Sequence, residues 1–172
     1  MADYFMLSVI QPSIPIADMT PLERLLLAHI FTAEPDEDGL YFYAEECPSD
    51  MIFIARDALE TALAESRHDE PSEARRFVAE RLAQCDPAES EIDLDVSGTS
   101  WAFFIQDIVR RSQTLHYVSV TSSFTCSRMR PDGFGGMAML ITADRILAKS
   151  TTDLIEDFLT ETGFGEDDTP LT

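Results

Sequence analysis

The chain has 172 residues, 45% of them hydrophobic, which suits one domain with a buried core. Its 32 acidic residues outnumber 12 basic ones, for a formal net charge of −20. This balance excludes direct nucleic-acid binding through a basic footprint, and it excludes a basic helix lying on a membrane surface.

The cysteines and the first residues favour a cytoplasmic protein. Cys47, Cys85 and Cys126 are odd in number and widely spaced, which indicates neither a disulfide framework nor a zinc site. Residues 1–7 lack the basic region of a signal peptide. No apolar run approaches the roughly 18 residues of a membrane span. We therefore expect a soluble cytoplasmic protein that needs no cofactor.

In the first third of the chain, strands alternate with a well-marked helix. Residues 4–10 predict a short, mostly buried strand. Thr20 is a suitable helix N-cap, with Pro21 at the first helical position and Glu23 completing a capping box, and this helix should end near Phe31. The aromatic and aliphatic runs at 40–44 and 51–55 are predicted to pair as a hairpin.

The rest of the chain continues with helices and strands. We predict helices over 57–66 and 72–84, and a strand over 92–96. The next helix, ending at Arg110-Arg111, has the strongest apolar stripe, formed by Trp101, Phe104, Ile105, Ile108 and Val109. Strands over 115–127 and 137–142 follow. Thr151 or Thr152 should cap a last helix, and 163–172 reads as an acidic flexible tail.

These elements predict a single α+β domain over residues 1–162, built of antiparallel hairpins with packed helices. The order strand, helix, hairpin, helix occurs in 4–66 and again in 91–161, so a pseudo-duplicated unit is one interpretation. One α+β layer without internal symmetry is the other. We favour the latter, because the two halves share no alignable identity.

Asp36, Asp38 and Glu45 have the spacing of a helix–loop–helix calcium site. Two departures weaken this match: Glu34 stands where the motif has Asp, and Pro35 follows it. The predicted strand at 40–44 also leaves no exiting helix to present Glu45. We therefore predict no metal here, and interpret the segment as an acidic entry to a hairpin.

A locally basic segment suggests an anion site. Between Ser97 and Thr152 six basic residues outnumber three acidic ones. The turn at 128–136, between the two predicted strands of this segment, contains glycines that would let backbone N–H groups approach a ligand. A row of hydroxyls runs along one face of the preceding strand. The alternative is a connecting loop whose arginines pair with the protein's own carboxylates. The candidate residues are Arg128, Arg130, Asp132, Gly133, Gly135, Gly136, Ser123 and Thr125.

No enzymatic signature is present in the sequence. There is no Gly-x-Ser-x-Gly elbow, phosphate loop or dinucleotide fingerprint. We predict a non-enzymatic protein–protein interaction module, and in its sharper form an inhibitor that imitates DNA toward a basic nucleic-acid-handling protein. Acidity that serves only solubility is the competing explanation, and an anion-binding module is the alternative function. Surplus aromatic residues such as Phe103 also raise the hypothesis of a homodimer.

Overall fold

The computed structural model describes residues 2–66, 72–98 and 100–164. These residues form five α-helices and nine strands whose pairings are all antiparallel, which confirms the predicted α+β class. The strands are β1 (Tyr4–Gln11), β2 (Ile14–Pro15), β3 (Thr32–Asp36), β4 (Gly39–Ala44), β5 (Met51–Ala55), β6 (Glu91–Asp95), β7 (Tyr117–Cys126), β8 (Gly135–Thr142) and β9 (Ile146–Ser150). The helices are α1 (Pro21–Ile30), α2 (Arg56–Glu65), α3 (Glu73–Gln84), α4 (Trp101–Arg111) and α5 (Thr151–Thr162).

Two sheets enclose the core from different sides. The strands of the large sheet pair in the order β2-β4-β1-β7-β8-β9, and β3 pairs with the edge of β4 that faces away from β1 and β2. The small sheet is the pair β5-β6. β1 pairs with β7 from Tyr4 opposite Cys126 to Gln11 opposite Ser119, so the ladder joins distant parts of the chain. Helices α1 and α4 lie on one side of the large sheet, and one continuous apolar cluster includes their residues and residues of both sheets. Helix α5 has no residue in this cluster and pairs through Asp157 with Lys149 of the edge strand β9.

Two predicted helices begin or pack for the reasons the sequence indicates. In α1, the Glu23 N–H donates to Thr20 Oγ1 (3.1 Å) and the Thr20 N–H donates to Glu23 Oε2 (2.9 Å), so the predicted capping box is confirmed. The predicted stripe of α4 is buried throughout, whereas Phe103, which falls off that stripe, is half exposed.

The predicted hairpin between 40–44 and 51–55 is wrong. β4 pairs with β3 on one edge, and with β1 and β2 on the other, so it has no edge left for β5. The tight turn that makes the β3–β4 hairpin contains Glu37 in a left-handed conformation (φ 50°). β5 instead pairs with β6, so that Ile52 and Ile54 are buried beside Ile92 and Leu94.

Two further differences from the predictions concern the second half. Ser150, not Thr151 or Thr152, is the N-cap of α5, because its side chain accepts the Asp153 N–H while Asp153 accepts the Ser150 N–H. β9 is a strand that we did not predict. The order of elements recurs in the two halves, but β9 stays on β8 whereas β5 leaves β4, so duplication stays a prediction. Of the predicted tail, 165–172 lie outside the described residues.

Candidate functional site

The Arg128–Gly136 turn packs closely against the end of the large sheet. A Cβ atom on Gly133 would lie 2.4 Å from the Cβ of Cys126, so only glycine allows this approach. Arg130 Nε lies 3.5 Å from Asp132 Oδ1, and the Tyr4 hydroxyl donates to Asp132 Oδ2 over 3.3 Å. The acidic partner of Arg130 is therefore a residue of the same turn.

Backbone N–H groups of the turn already have acceptors inside the protein. The Gly133 N–H donates to the Arg130 carbonyl (3.0 Å), and the Gly136 N–H donates to Thr151 Oγ1 (3.2 Å). Gly135 is paired with Phe124 in the β7–β8 ladder. An anion held by the Gly133 and Gly136 N–H groups would have to displace these bonds.

The predicted hydroxyls do not share one site with the whole turn. Ser123 and Thr125 lie on the face of the large sheet that the helices leave uncovered, with Gly136 beside Ser123 in the ladder. Gly133, by contrast, packs on Cys126, which lies on the opposite face because side chains alternate along a strand. The anion site stays a prediction, with its residues divided between two faces.

The three carboxylates of the calcium-like motif are not brought together. Asp36 and Asp38 lie at the β3–β4 turn, whereas Glu45 follows the far end of β4, about 20 Å away along the strand. Asp36 accepts a hydrogen bond from the Ser13 hydroxyl. Among residues 2–66, 72–98 and 100–164, no group of three or more His, Cys, Asp or Glu side chains is placed to hold a metal ion.

The uncovered face of the large sheet, which we call the open sheet face, is uncharged on its four central strands. All residues of these strands are described, and none of their outward side chains is charged, although 26% of the chain's residues are. Glu34 on β3 and Lys149 on β9 lie at its two borders. The outward residues are Tyr41, Tyr43, Phe5, Leu7, Val9, Gln11, Tyr117, Ser119, Thr121, Ser123, Thr125, Gly136, Ala138, Leu140 and Thr142.

A shallow groove of about 460 Å³ lies at the β3 side of the open sheet face. The rings of Tyr41 and Tyr43 stack there with centroids 5.4 Å apart. The Tyr43 hydroxyl donates to Glu34 Oε1 over 2.8 Å, and this hydrogen bond raises the pKa of Tyr43. Two of the predicted site residues line this groove: Ser123, a candidate for the anion site, and Glu45, a candidate for the calcium site.

The outer face of the small sheet combines exposed apolar side chains with carboxylates. Met51 and Phe53 of β5 are 45% and 57% exposed. In the ladder, Met51 lies opposite Asp95 and Phe53 opposite Asp93, with Glu91 two residues further along β6. We call these five residues the acidic sheet face. Strand geometry places successive carboxylates of β6 about 7 Å apart.

The negative charge of the acidic sheet face comes mainly from Glu91 and Asp95, because the third carboxylate, Asp93, forms an ion pair with Arg81. Hydrogen bonds from Ser97 lower the pKa of Asp95, so this carboxylate is ionised at neutral pH. Arg81 pairs with Asp93 and also donates to its backbone carbonyl. Arg56, the nearby arginine, donates to the carbonyl oxygens of Glu89 (2.7 Å) and Asp86 (2.7 Å). Both arginines are thus held by the protein's own oxygens.

Sequence reasoning missed the acidic sheet face. The alternation of β6 was visible, with Ile92 and Leu94 between acidic residues. What the sequence did not show was that β5 pairs with β6, because the expected partner of β5 was β4. The only available signal was the matching alternation of residues 51–55.

The last helix also leaves its apolar residues uncovered. Leu154, Ile155, Phe158 and Leu159 fall on one face of α5 and are 41–58% exposed.

Among the described residues, no helix is long and apolar enough to cross a bilayer. Comparisons with protein-family models, with curated proteins and with solved structures find no match to this chain.

Proposed function

We propose that this protein is an acidic protein–protein interaction module that binds a basic partner through the acidic sheet face. The observation that carries this proposal is the exposure of Phe53 and Met51 directly beside Asp93 and Asp95. Aromatic residues at the centre of a patch supply most of the binding energy in many interfaces. Surrounding carboxylates select a partner of opposite charge and speed its association.

Two features support the basic character of the partner. The chain carries a net charge of −20, which steers positively charged proteins toward it over distances of a Debye length. Arg81 and Arg56 are engaged within the protein, so they do not present free cations to the partner, and Glu91 and Asp95 carry the charge that Asp93 shares with Arg81. The sharper form of the proposal is that the partner handles nucleic acid and that the carboxylate row of β6 takes the place of phosphates.

The test compares matched variants in a pull-down from host lysate, followed by binding measurements with the captured protein. Phe53→Ser removes the aromatic residue, and Glu91→Lys with Asp95→Lys reverses two charges of the acidic sheet face. Glu156→Lys with Glu161→Lys on α5 changes the net charge equally and serves as the control. The four carboxylates that are reversed in these two charge variants are all exposed.

We expect a basic protein to be captured at low salt by the wild-type chain and by the α5 control. High salt, Phe53→Ser and the β6 reversals should each abolish its binding. Equal binding by all variants would contradict the proposal, as would a partner that ignores salt. Release of the partner by duplex DNA is expected if it handles nucleic acid, and its absence would remove only that sharper form.

The anion-binding alternative has less support. The Gly133 and Gly136 N–H groups have internal acceptors, and Arg130 has Asp132 beside it.

A further inference from the structure

Apart from the acidic sheet face, two extended apolar surfaces are exposed in the described part of the chain, and both adjoin the junction of β9 and α5. The first is the apolar face of α5, formed by Leu154, Ile155, Phe158 and Leu159. An isolated helix of 12 residues is marginal in water and gains its stability from packing of its apolar face. Every described residue of α5 is nevertheless exposed.

The second surface is the open sheet face together with Leu147 of β9. Its large apolar side chains are 36–53% exposed, and they extend from the centre of the sheet to the β9 edge. α5 begins at the residue after β9. The apolar side chains of this surface that are at least one third exposed are Leu7, Val9, Tyr117, Leu140 and Leu147.

We propose that a second copy of this chain covers both surfaces, with α5 of each copy packed on the open sheet face of the other. Such an arrangement is reciprocal, as a two-fold symmetric dimer requires, because each copy contributes one helix and one sheet face. The proposal concerns other residues than the acidic sheet face and does not depend on it.

Charge favours a second copy on these surfaces. Two molecules of net charge −20 repel each other, so they can associate only where their contact surfaces carry few charges. The central strands of the open sheet face carry none. On α5, Asp153, Glu156 and Asp157 fall on the side of the helix away from its apolar face, and Asp157 pairs there with Lys149 of the same chain. Glu161 lies at the border of the apolar face, seven residues after Leu154.

The exposed area is sufficient for a stable dimer. Taken with the residue sizes, the exposed fractions correspond to roughly 350–400 Å² on α5 and a similar area on the sheet. Because each surface occurs twice in a two-fold dimer, up to about 1,500 Å² would be buried if both surfaces were completely covered. This lies within the range of about 1,200–2,000 Å² that is usual for specific interfaces.

The first experiment measures the mass of the full chain in solution by light scattering and sedimentation over a range of concentrations. We expect twice 19.2 kDa for the wild type, shifting toward 19.2 kDa on dilution. Phe158→Asp on α5 and Leu140→Asp on β8 should each raise the dissociation constant about 100-fold or more, because each change occurs twice in the dimer. Thr160→Asp adds the same charge on the polar side of α5 and should leave the dimer intact.

A mixing experiment tests the reciprocal geometry. When Phe158→Asp and Leu140→Asp chains are combined, one of the two helix-on-sheet contacts contains only wild-type residues. The mixture should therefore form dimers at concentrations where neither variant does so alone. Val9→Asp replaces Leu140→Asp if the latter fails to fold, as judged by circular dichroism and the unfolding midpoint.

The outcomes separate this proposal from its alternatives. A wild-type chain that stays monomeric at all concentrations would overturn it. So would a dimer that Leu140→Asp and Val9→Asp leave unchanged, since the contact would then be helix to helix. Salt should strengthen this dimer by screening the repulsion of the two copies, whereas it weakens binding through the acidic sheet face, so failure of one proposal leaves the other testable.

Discussion

The junction of α1 and α4 contains a buried ion pair whose loss should be costly. Arg111 Nη2 lies 2.5 Å from Glu23 Oε2, the side chain of Glu23 is fully buried, and that of Arg111 is 15% exposed. The same Glu23 oxygen accepts the Thr20 N–H. Its other oxygen, Oε1, has no hydrogen-bond partner among the described residues. Arg111 is therefore the group that compensates this buried charge.

Replacing Arg111 with Ala should destabilise the protein strongly. Removal of one partner from a buried pair leaves an uncompensated charge and typically costs about 3–5 kcal/mol. For a chain of this size each kcal/mol lowers Tm by about 2–4 °C, so we expect a fall of about 6–20 °C. Urea unfolding followed by far-UV circular dichroism, together with thermal melting, measures both quantities.

An exposed ion pair on another helix provides the control. Arg76 on α3 lies 2.6 Å from Glu73 Oε2 and 3.0 Å from Glu80 Oε1, and all three side chains are at least 42% exposed. Water and side-chain entropy make such pairs weak, so Arg76→Ala should change the unfolding midpoint little. If Arg111→Ala is no more destabilising than Arg76→Ala, the argument from burial is refuted.

A second variant identifies the charge as the cause. Glu23→Gln keeps an oxygen that can accept the Thr20 N–H but removes the negative charge. In the Arg111→Ala background it should therefore recover part of the lost stability. A double variant less stable than Arg111→Ala alone would mean that the cost comes from lost packing of the arginine side chain.

The remaining predictions concern the cap of α5, the turn and the groove. The backbone hydrogen bond from Ser150 lowers the pKa of Asp153, so the NMR signal of its carboxyl carbon should titrate with a midpoint below 3.8. The ionised Asp153 stabilises α5 at pH values above this ordinary pKa, and the stabilisation is lost as the pH falls through the lowered pKa of the folded protein. A midpoint at or above 3.8 would speak against the cap. Gly133→Ala should cost about 1–3 kcal/mol in urea unfolding because its Cβ has no space; an unchanged midpoint would show that the turn can move away. Absorbance titration should give Tyr43 a pKa above 10.0 that falls in Glu34→Gln, and equal values in both proteins would contradict the hydrogen bond.

Local elements could be predicted because their determinants are neighbours in sequence. Thr20 and Glu23 form the cap of α1 within three residues, and the apolar stripe of α4 repeats with the helical period. The cap of α5 was misplaced by one or two residues, because hydroxyl residues stand at 150, 151 and 152. Only the position of Asp153 at the third helical residue selects Ser150.

Pairing between strands was less predictable for a physical reason. β5 has the apolar alternation of a half-buried strand, and this pattern fits any neighbour whose inward positions are apolar. Its pairing with β6 depends on β4 having both edges occupied, which in turn depends on where β1 and β3 lie. Because the partner of β5 was predicted wrongly, the acidic sheet face could not be predicted: Phe53 and Asp93 come together only through the pairing of β5 with β6.

The amino-acid sequence was enough to predict the α+β class, the strongly negative charge, and the apolar periodicity of the helices and strands. The tertiary structure alone decided which apolar residues remain exposed. Leu154 and Phe158 have the same helical spacing as the buried stripe of α4. However, α5 follows the edge strand β9 and all of its residues are exposed. Burial depends on what packs against a face, and that partner is distant in sequence or belongs to another molecule.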